Sequence, residues 1–469
     1  MDEDMKEENG KKSVVKTVIQ STYDFSTETT LHGVRFITGE GIHFGRRLLW
    51  FVIITLFYSW LILELKMSID KFFSYPVVTV VIINHVPEVY FPAITICNQN
   101  MIKADNAENH KIFLELMEAS STGEGTIHWD LYDNVTKGYV WNLTEWAFQD
   151  GHKIEDMLLE CKWKLHQHCS PKDFRPIMTD FGVCFTYNWD EHNPLPVGHP
   201  GSSYGLVLRL NIEQDQYTWS EFGGAGMKVY AHAQGETPLV KMHGFSVGPG
   251  METDITLRYI KRKNLKSPYK PYCDEKQLKY SHIYNAELCR FECEVDAIIE
   301  HCGCKDYRHP GDVPVCDPKQ HIQCVLKVQE TFSSLSNLDH CICPEPCEQE
   351  YYDTRNSIAQ WPSNYLRRSL SQEMNITEEY IGDNFLELNI FFEEVRFEEI
   401  TEAPAYDGYS LLGDVGGYMG LLCGASLITM VEIMDCILIT FTKTWRKPKS
   451  TEYREDSKAR TPTHNSSKF

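Results

Sequence analysis

Leu411-Leu-Gly-Asp-Val-Gly-Gly-Tyr-Met-Gly-Leu-Leu-Cys-Gly-Ala-Ser-Leu-Ile-Thr-Met-Val-Glu-Ile-Met-Asp-Cys-Ile-Leu-Ile-Thr440 decides how the chain is read. A helix needs roughly 20 apolar residues to cross a bilayer, and this run supplies them. It also carries Asp414, Glu432 and Asp435, and glycines at 413, 416, 417, 420 and 424. A carboxylate at bilayer depth costs at least a few kcal/mol, so a plain anchor has no use for one, whereas a span lining a water-filled path has. Small residues at 416, 420 and 424 recur every four positions, which lets helices approach closely. Asp414 and Glu432 are a whole number of turns apart and would share one face of an unbroken helix. The plainer alternative is an anchor with a dimerising glycine stripe.

A second apolar run, Leu48-Leu-Trp-Phe-Val-Ile-Ile-Thr-Leu-Phe-Tyr-Ser-Trp-Leu-Ile-Leu63, is flanked by Arg46, Arg47, Glu64 and Lys66. With snorkelling flanks it is long enough to span over 47–66, and Trp50, Tyr58 and Trp60 suit the interfaces. Arg46 and Arg47 precede this span, and Lys443, Arg446, Lys447 and Lys449 follow the other. The positive-inside rule then places both termini in the cytoplasm and 67–410 outside. Residues 1–46 are polar and hold no signal-peptide core. The tail 443–469 is charged and reads as disordered.

Composition agrees with that topology. The 469 residues have a net charge of −21, which argues against nucleic acid and fits a surface that attracts cations. Mean hydropathy is −0.35, so most of the mass is soluble-like. Of 16 cysteines, all but Cys423 and Cys436 fall in 67–410, an even set in the segment read as extracellular. The sequons at Asn134, Asn142 and Asn375 fall there too, while the one at Asn465 lies inside and should be unused. Runs 77–83, 204–212, 226–232 and 385–392 are β-rich and could meet in one sheet, and 111–118 is helical in pattern. Cys289 and Cys293 share a helix face and Cys341 and Cys343 a strand face, so two disulfide rungs could rivet a helix to a strand, with Cys273 and Cys347 closing a third. Zinc held by Cys302-Gly-Cys304 and Cys341-Ile-Cys343 is the rival reading. No His-Glu-x-x-His, Gly-x-Ser-x-Gly or P-loop is present, so catalysis has no candidate centre and no cofactor is expected.

Four motifs narrow the function. Phe91-Pro-Ala-Ile-Thr-Ile-Cys-Asn98, Glu300-His-Cys-Gly-Cys304, Leu412-Gly-Asp-Val-Gly-Gly417 leading to Gly424-Ala-Ser426, and His32-Gly33 before the first span stand in order between about 23 and 440. Together they resemble the degenerin, epithelial sodium channel and acid-sensing ion channel family, with most likeness to acid-sensing channels and to relatives gated by bile acids or peptides. The resemblance implies an α+β membrane protein: two transmembrane helices flanking a large disulfide-rich mixed α/β extracellular domain, assembled as a homotrimer or heterotrimer in the plasma membrane. It implies a sodium-selective, amiloride-sensitive pore with Na+ as permeant ion.

The family's roles fall on particular residues. Gly424, Ala425 and Ser426 would form the selectivity filter, with backbone carbonyls facing the ion where the second helix (411–442) breaks. His32 and Gly33 would lie on a re-entrant segment supporting it. Asp407 and Asp414 would ring the outer mouth and bind blocking Ca2+; Glu432 and Asp435 would ring the inner exit. Ser410 takes the position where bulk holds the pore open. Tyr75 takes that of the aromatic coupling the outer domain to the pore, with Tyr269 or Tyr272 as its partner in a loop where the family has tryptophan. The disulfides implied are Cys97–Cys184, Cys161–Cys169, Cys273–Cys347, Cys289–Cys343, Cys293–Cys341, Cys302–Cys324 and Cys304–Cys316.

The proton-sensing carboxylates of acid-sensing channels are depleted. Asp215 is kept beside Gln216, Leu326 replaces an aspartate, Glu330 keeps an acid, and Asn389 stands for a further aspartate. Pro76 and Val77 replace a histidine pair, Ile82 and Ile83 an acidic pair, while Glu393 and Glu398 remain. Protons are the leading stimulus, with a peptide or small amphiphile as alternatives. A subunit that conducts only in heteromers is a further possibility, and outside the family an ATP-gated channel or a non-conducting receptor.

Overall fold

The computed structural model describes residues 2–122, 129–137, 139, 141–165, 167–220, 223–333 and 341–445. The chain divides into two compact units, Met1–Pro76 with Ala405–Phe469, and Val77–Pro404.

The first unit is helical. Asp2–Glu28 is a helix that the polar composition of 1–46 did not reveal. The first-span helix is longer than its apolar core: it runs Phe44–Phe73, against the 47–66 read from hydropathy. Apolarity marks the part that lipid covers, but a helix propagates until something stops it. Here the stop is Tyr75, at φ 48°, followed by Pro76, which disfavours helical backbone in the residue before it. Phe51, Leu56, Ile62 and Leu63 on this helix are exposed, as a lipid-facing surface requires. The second span is a broken one. Gly408–Tyr418 passes through a π-helical turn, Met419–Cys423, and after a non-helical 424–426 the chain resumes as Leu427–Trp445, bent by 76°.

The second unit is mixed α/β. Its larger sheet orders Glu348–Gln360, Met251–Lys263, Phe385–Pro404, Leu206–Asn211, Leu158–Trp163 and Gln167–His168, with Val77–His85 pairing antiparallel to the Phe385–Pro404 strand. The second sheet orders Phe245–Val247, Met227–His232, Ala93–Asn98, Gly182–Tyr187 and Phe174–Thr179. The β-rich run at 226–232 therefore joins a different sheet from the other three. Strand periodicity identifies a strand but not its neighbour. Leu206, Leu208 and Leu210 alternate with half-buried residues and face Leu386, Leu388, Ile390 and Phe392 in the core, all at most 1% exposed. Ala93–Asn98 is buried along its whole length because strands flank it on both sides.

The seven disulfides are the pairs that the resemblance implied. One detail differs. Cys289 and Cys293 lie on the helix Ala286–Cys302, but Cys341 and Cys343 lie in irregular chain rather than on a strand. Their i, i+2 spacing still turns both sulfurs toward the helix. The four sulfurs lie within 4.8 Å of one another and are used by Cys289–Cys343 and Cys293–Cys341, so the zinc reading loses its ligands. Cys302 and Cys304 are likewise bonded elsewhere.

Candidate pore and sensor residues

Gly424 sits at φ 66°, a left-handed conformation that glycine adopts without strain. It ends the upper helix. The Gly424 N–H donates to Gly420 O (3.1 Å) and the Ala425 N–H to Met419 O (3.1 Å), which closes the turn. Below the break, Ser426 caps the lower helix: its Oγ accepts from the Thr429 N–H (3.3 Å), and its carbonyl accepts from the Met430 N–H. Ala425 is buried, whereas Ser426 is exposed in the isolated chain.

The His32-Gly33 pair meets this break directly. The His32 N–H donates to Cys423 O at 3.0 Å, and the imidazole occupies the space a Cβ on Gly424 would need. Gly33 adopts φ 84°, and a Cβ there would lie 2.9 Å from Ile54 Cδ1 and 3.2 Å from Trp50 on the first-span helix. Leu31 packs with Leu61, Leu422, Cys423 and Ala425. Thr30, which the sequence did not single out, bonds Thr429 Oγ1 (3.0 Å) and donates to Glu432 Oε2 (3.1 Å). The 30–33 hairpin thus supports both sides of the 424–426 break.

Asp407, Asp414 and Glu432 each accept hydrogen bonds within this unit. Asp407 caps the helix Gly408–Tyr418, accepting from the Ser410 N–H (2.8 Å) and from Ser410 Oγ (2.7 Å). Asp414 accepts from Tyr406 Oη at 2.6 Å, and Lys71 lies over the Tyr406 ring. Glu432 and the exposed Asp435 border a cavity with Asp24 and Glu28 of the N-terminal helix, two acids not anticipated there. Tyr75 packs against Phe72 and Phe73.

In the second unit the candidate sensors are dispersed. Asp215 accepts from Tyr380 Oη (3.1 Å), while Gln216 accepts the Asp105 N–H. Glu330 is exposed on the helix Leu326–Ser333. Glu393 pairs with Arg258 Nε at 2.9 Å, and that guanidinium holds its carboxyl below the usual range, so it is a weaker proton sensor than its position implied. Glu398 is half-buried and stands between Ile83 and Ile260 in register.

Two clusters were not legible in the sequence. Asn389 Nδ2 donates to both Glu252 Oε1 (3.0 Å) and Asp254 Oδ1 (2.9 Å). Desolvation, then Glu387 and Asp254, raises the Glu252 carboxyl. The amide thus bridges two acids where the family's carboxylate would repel them. Asp306 and Arg308 form a buried ion pair, with the buried His321 ring beside the carboxylate. Of the sequon residues, Asn134 is exposed, Asn142 caps the helix Leu143–Asp150, and Asn375 ends the helix Asn364–Met374 at φ 56°.

Comparison with known proteins gives one consistent result. The family model described as amiloride-sensitive sodium channel matches residues 25–436. The chain is 32% identical to acid-sensing ion channel 2 of Rattus norvegicus, over 92% of this chain and 88% of that protein. It is 31% identical to acid-sensing ion channel 1 of Gallus gallus, over 88% and 82% respectively.

Proposed function

The chain belongs to the amiloride-sensitive sodium channel family, and on that premise we propose that it is a trimeric, sodium-selective, amiloride-sensitive cation channel of the plasma membrane, opened by extracellular protons. Members of this family are ion channels, not enzymes. The observation that carries the pore reading is the break at 424–426, propped by the His32-Gly33 hairpin. Non-helical backbone at membrane depth is tolerated only where it is buried in protein or lines a cavity. Three such breaks around one axis would offer rings of carbonyls to a dehydrating cation, with Asp407 and Asp414 at one mouth and Glu432 and Asp435 at the other. In this reading both termini are cytoplasmic, 67–410 is extracellular, and the sequons at Asn134, Asn142 and Asn375 are glycosylated.

Proton gating rests on the likeness to acid-sensing channels. A second reading, gating by a peptide or small amphiphile, is favoured by one specific observation: Gln216, Leu326 and Asn389 replace acids of the usual sensor. Voltage clamp of the chain expressed alone decides between them. Stepping external pH from 7.4 to about 5 should evoke an inward sodium current blocked by amiloride. Silence to acid with current on adding peptides or bile-acid-type amphiphiles would move the stimulus to the second reading. Silence to all of them would point to an obligate partner subunit.

A further inference from the structure

A cavity of about 360 Å3 opens within the unit Val77–Pro404, lined by Asp180, Pro238, Tyr280, Phe291 and His309 among others. Its floor is the loop that leaves the helix Ala286–Cys302, held by the Cys302–Cys324 and Cys304–Cys316 disulfides. In that loop Asp306 is wholly buried. Arg308 donates to it through Nε (3.0 Å) and Nη2 (3.1 Å), and His321 Nδ1 lies 3.1 Å from Asp306 Oδ2. Arg308 is therefore matched by a carboxylate. The next residue is not matched. His309 is 6% exposed, its Nδ1 is buried without a hydrogen-bond partner, and its ring stands edge-on to Phe291 at 5.1 Å. A buried imidazole with an unmet nitrogen, at the wall of a cavity, is costly to charge while the loop stays packed.

We infer that His309 is an extracellular proton-binding site of this channel, and that its protonation drives the 305–310 loop out of its packed position. The inference rests on the proton-gated reading and names a sensor for it outside the depleted carboxylates.

The groups facing the imidazole set the sign. Its own loop brings Lys305, Asp306, Tyr307 and Arg308; the helix Ala286–Cys302 brings Glu292 and Glu294; the turn before Gly182 brings Asp180; Tyr280 comes from the segment before the helix; and His321 lies beyond Asp306. Glu292 is engaged by the backbone N–H groups of Lys279 and Tyr280, and Lys305 by Gly311 O. Burial is the largest influence and holds His309 below the ordinary histidine value; Arg308 acts in the same direction, against Asp306, Glu294 and Asp180. His309 is thus neutral at pH 7.4. A conformer in which the ring is hydrated binds the proton more tightly, so acid selects that conformer. The packed loop has its full stability above the ordinary histidine pKa of about 6.5 and loses it as pH falls from there toward the depressed value.

His110, His152 and His232 are each engaged by a neighbour. His110 and His152 lie against Asp150 (2.7 Å) and Glu213 (2.8 Å). His232 is bonded to Thr95 and to Ala233 O, and burial lowers it to about 4. The 305–310 loop is also well placed to matter. Thr144 Oγ1 of the helix Leu143–Asp150 donates to Tyr307 O at 2.7 Å, and Tyr307 packs with Ile102, Phe113, Met117 and Leu143. Moving the loop would loosen that joint.

The test uses the full-length chain in membranes. Thr237→Cys places a thiol on the cavity wall, and Ser202→Cys provides an exposed reference for the pH dependence of the labelling chemistry. Between pH 7.4 and 5.5 the ratio of their labelling rates should rise at least about threefold, and His309→Gln should abolish the rise. The same variant should move half-activation by protons to more acid pH by about 0.3 units or more. An unchanged labelling ratio and unchanged half-activation in His309→Gln would overturn the inference while leaving proton gating intact. The labelling result without any acid-evoked current would keep the inference and sink the proton-gated reading. Histidine C2 hydrogen exchange on the wild-type protein needs no variant to fold: a His309 midpoint at or above about 6.5 would also overturn the inference.

Discussion

Ile83 stands directly opposite Glu398 in the antiparallel pairing of Val77–His85 with Phe385–Pro404. Opposed side chains in such a pair have Cβ atoms about 4.5–5.5 Å apart. Glu398 has Ile260 on its other side, so its strand neighbours on both flanks are aliphatic. Ile83→Glu would set two carboxylates face to face, and each would raise the other's pKa. The pair should titrate at milder acidity and shift half-activation to higher pH by about half a unit or more. Ile83→Gln, equally polar but uncharged, should leave it in place. Proton concentration–response curves for the two variants decide the matter.

Gly424 and His32 make a second pair whose coupling can be measured. Gly424→Ala brings a Cβ onto the imidazole and forces φ 66° on a residue that resists it. Current should fall at least about tenfold with surface expression retained, because the break lines the conduction path of the proposed pore. Adding His32→Ala removes the overlap but not the backbone strain, so the double variant should recover part of the current. Full additivity of the two losses would show that His32 and Gly424 do not touch in the conducting protein.

Much of this site was legible in the sequence, for identifiable reasons. Gly-Ala-Ser and His-Gly are short local signals, and Gly424 and Gly33 are visible because only glycine accepts their backbone and the space around it. The carboxylates of the second span were visible because they are out of place there. What was not legible depends on distant chain. Thr30 matters because Glu432 arrives beside it, and Glu252 matters because Asp254, Glu387 and Asn389 converge from two paired strands. The length of the first-span helix was missed because hydropathy reports on lipid, whereas the helix stops at Tyr75-Pro76. Cys341 and Cys343 were given a strand because a spacing of two fits one, and irregular chain serves equally well.

Glu393 and Glu252 should respond to acid in opposite ways. Arg258 depresses the Glu393 pKa, so its contribution to stability is present above the ordinary carboxylate value and is lost only as pH falls through the depressed one. Glu393 then stays ionised across the activation range, and Glu393→Gln should move half-activation by less than about 0.2 units. Glu252 is raised by desolvation and by Glu387 and Asp254, so its ionised form strains the fold at neutral pH and protonation relieves it. Glu252→Gln should raise the unfolding temperature at pH 7.4, with the gain shrinking as pH approaches 5. Thermal unfolding of the detergent-solubilised channel at both pH values reads this directly, and an equal gain at both would remove Glu252 from the set of titrating groups.

The buried Asp306–Arg308 pair yields the largest expected change in stability. Each ion is taken fully out of water, and a partner removed from such a pair leaves the other charge stranded, at a cost of about 3–5 kcal/mol. Arg308→Met should therefore lower the unfolding temperature by roughly 5–10 °C at pH 7.4. Asp306→Leu combined with Arg308→Met removes both charges and should be milder than either single change, since a buried ion pair is often no more stable than an apolar replacement. Arg308 holds Asp306 far below the usual carboxylate range, so in the wild-type protein the pair's contribution stays constant between pH 5 and 8. A double variant as unstable as the sum of the singles would mean that the charges are not paired.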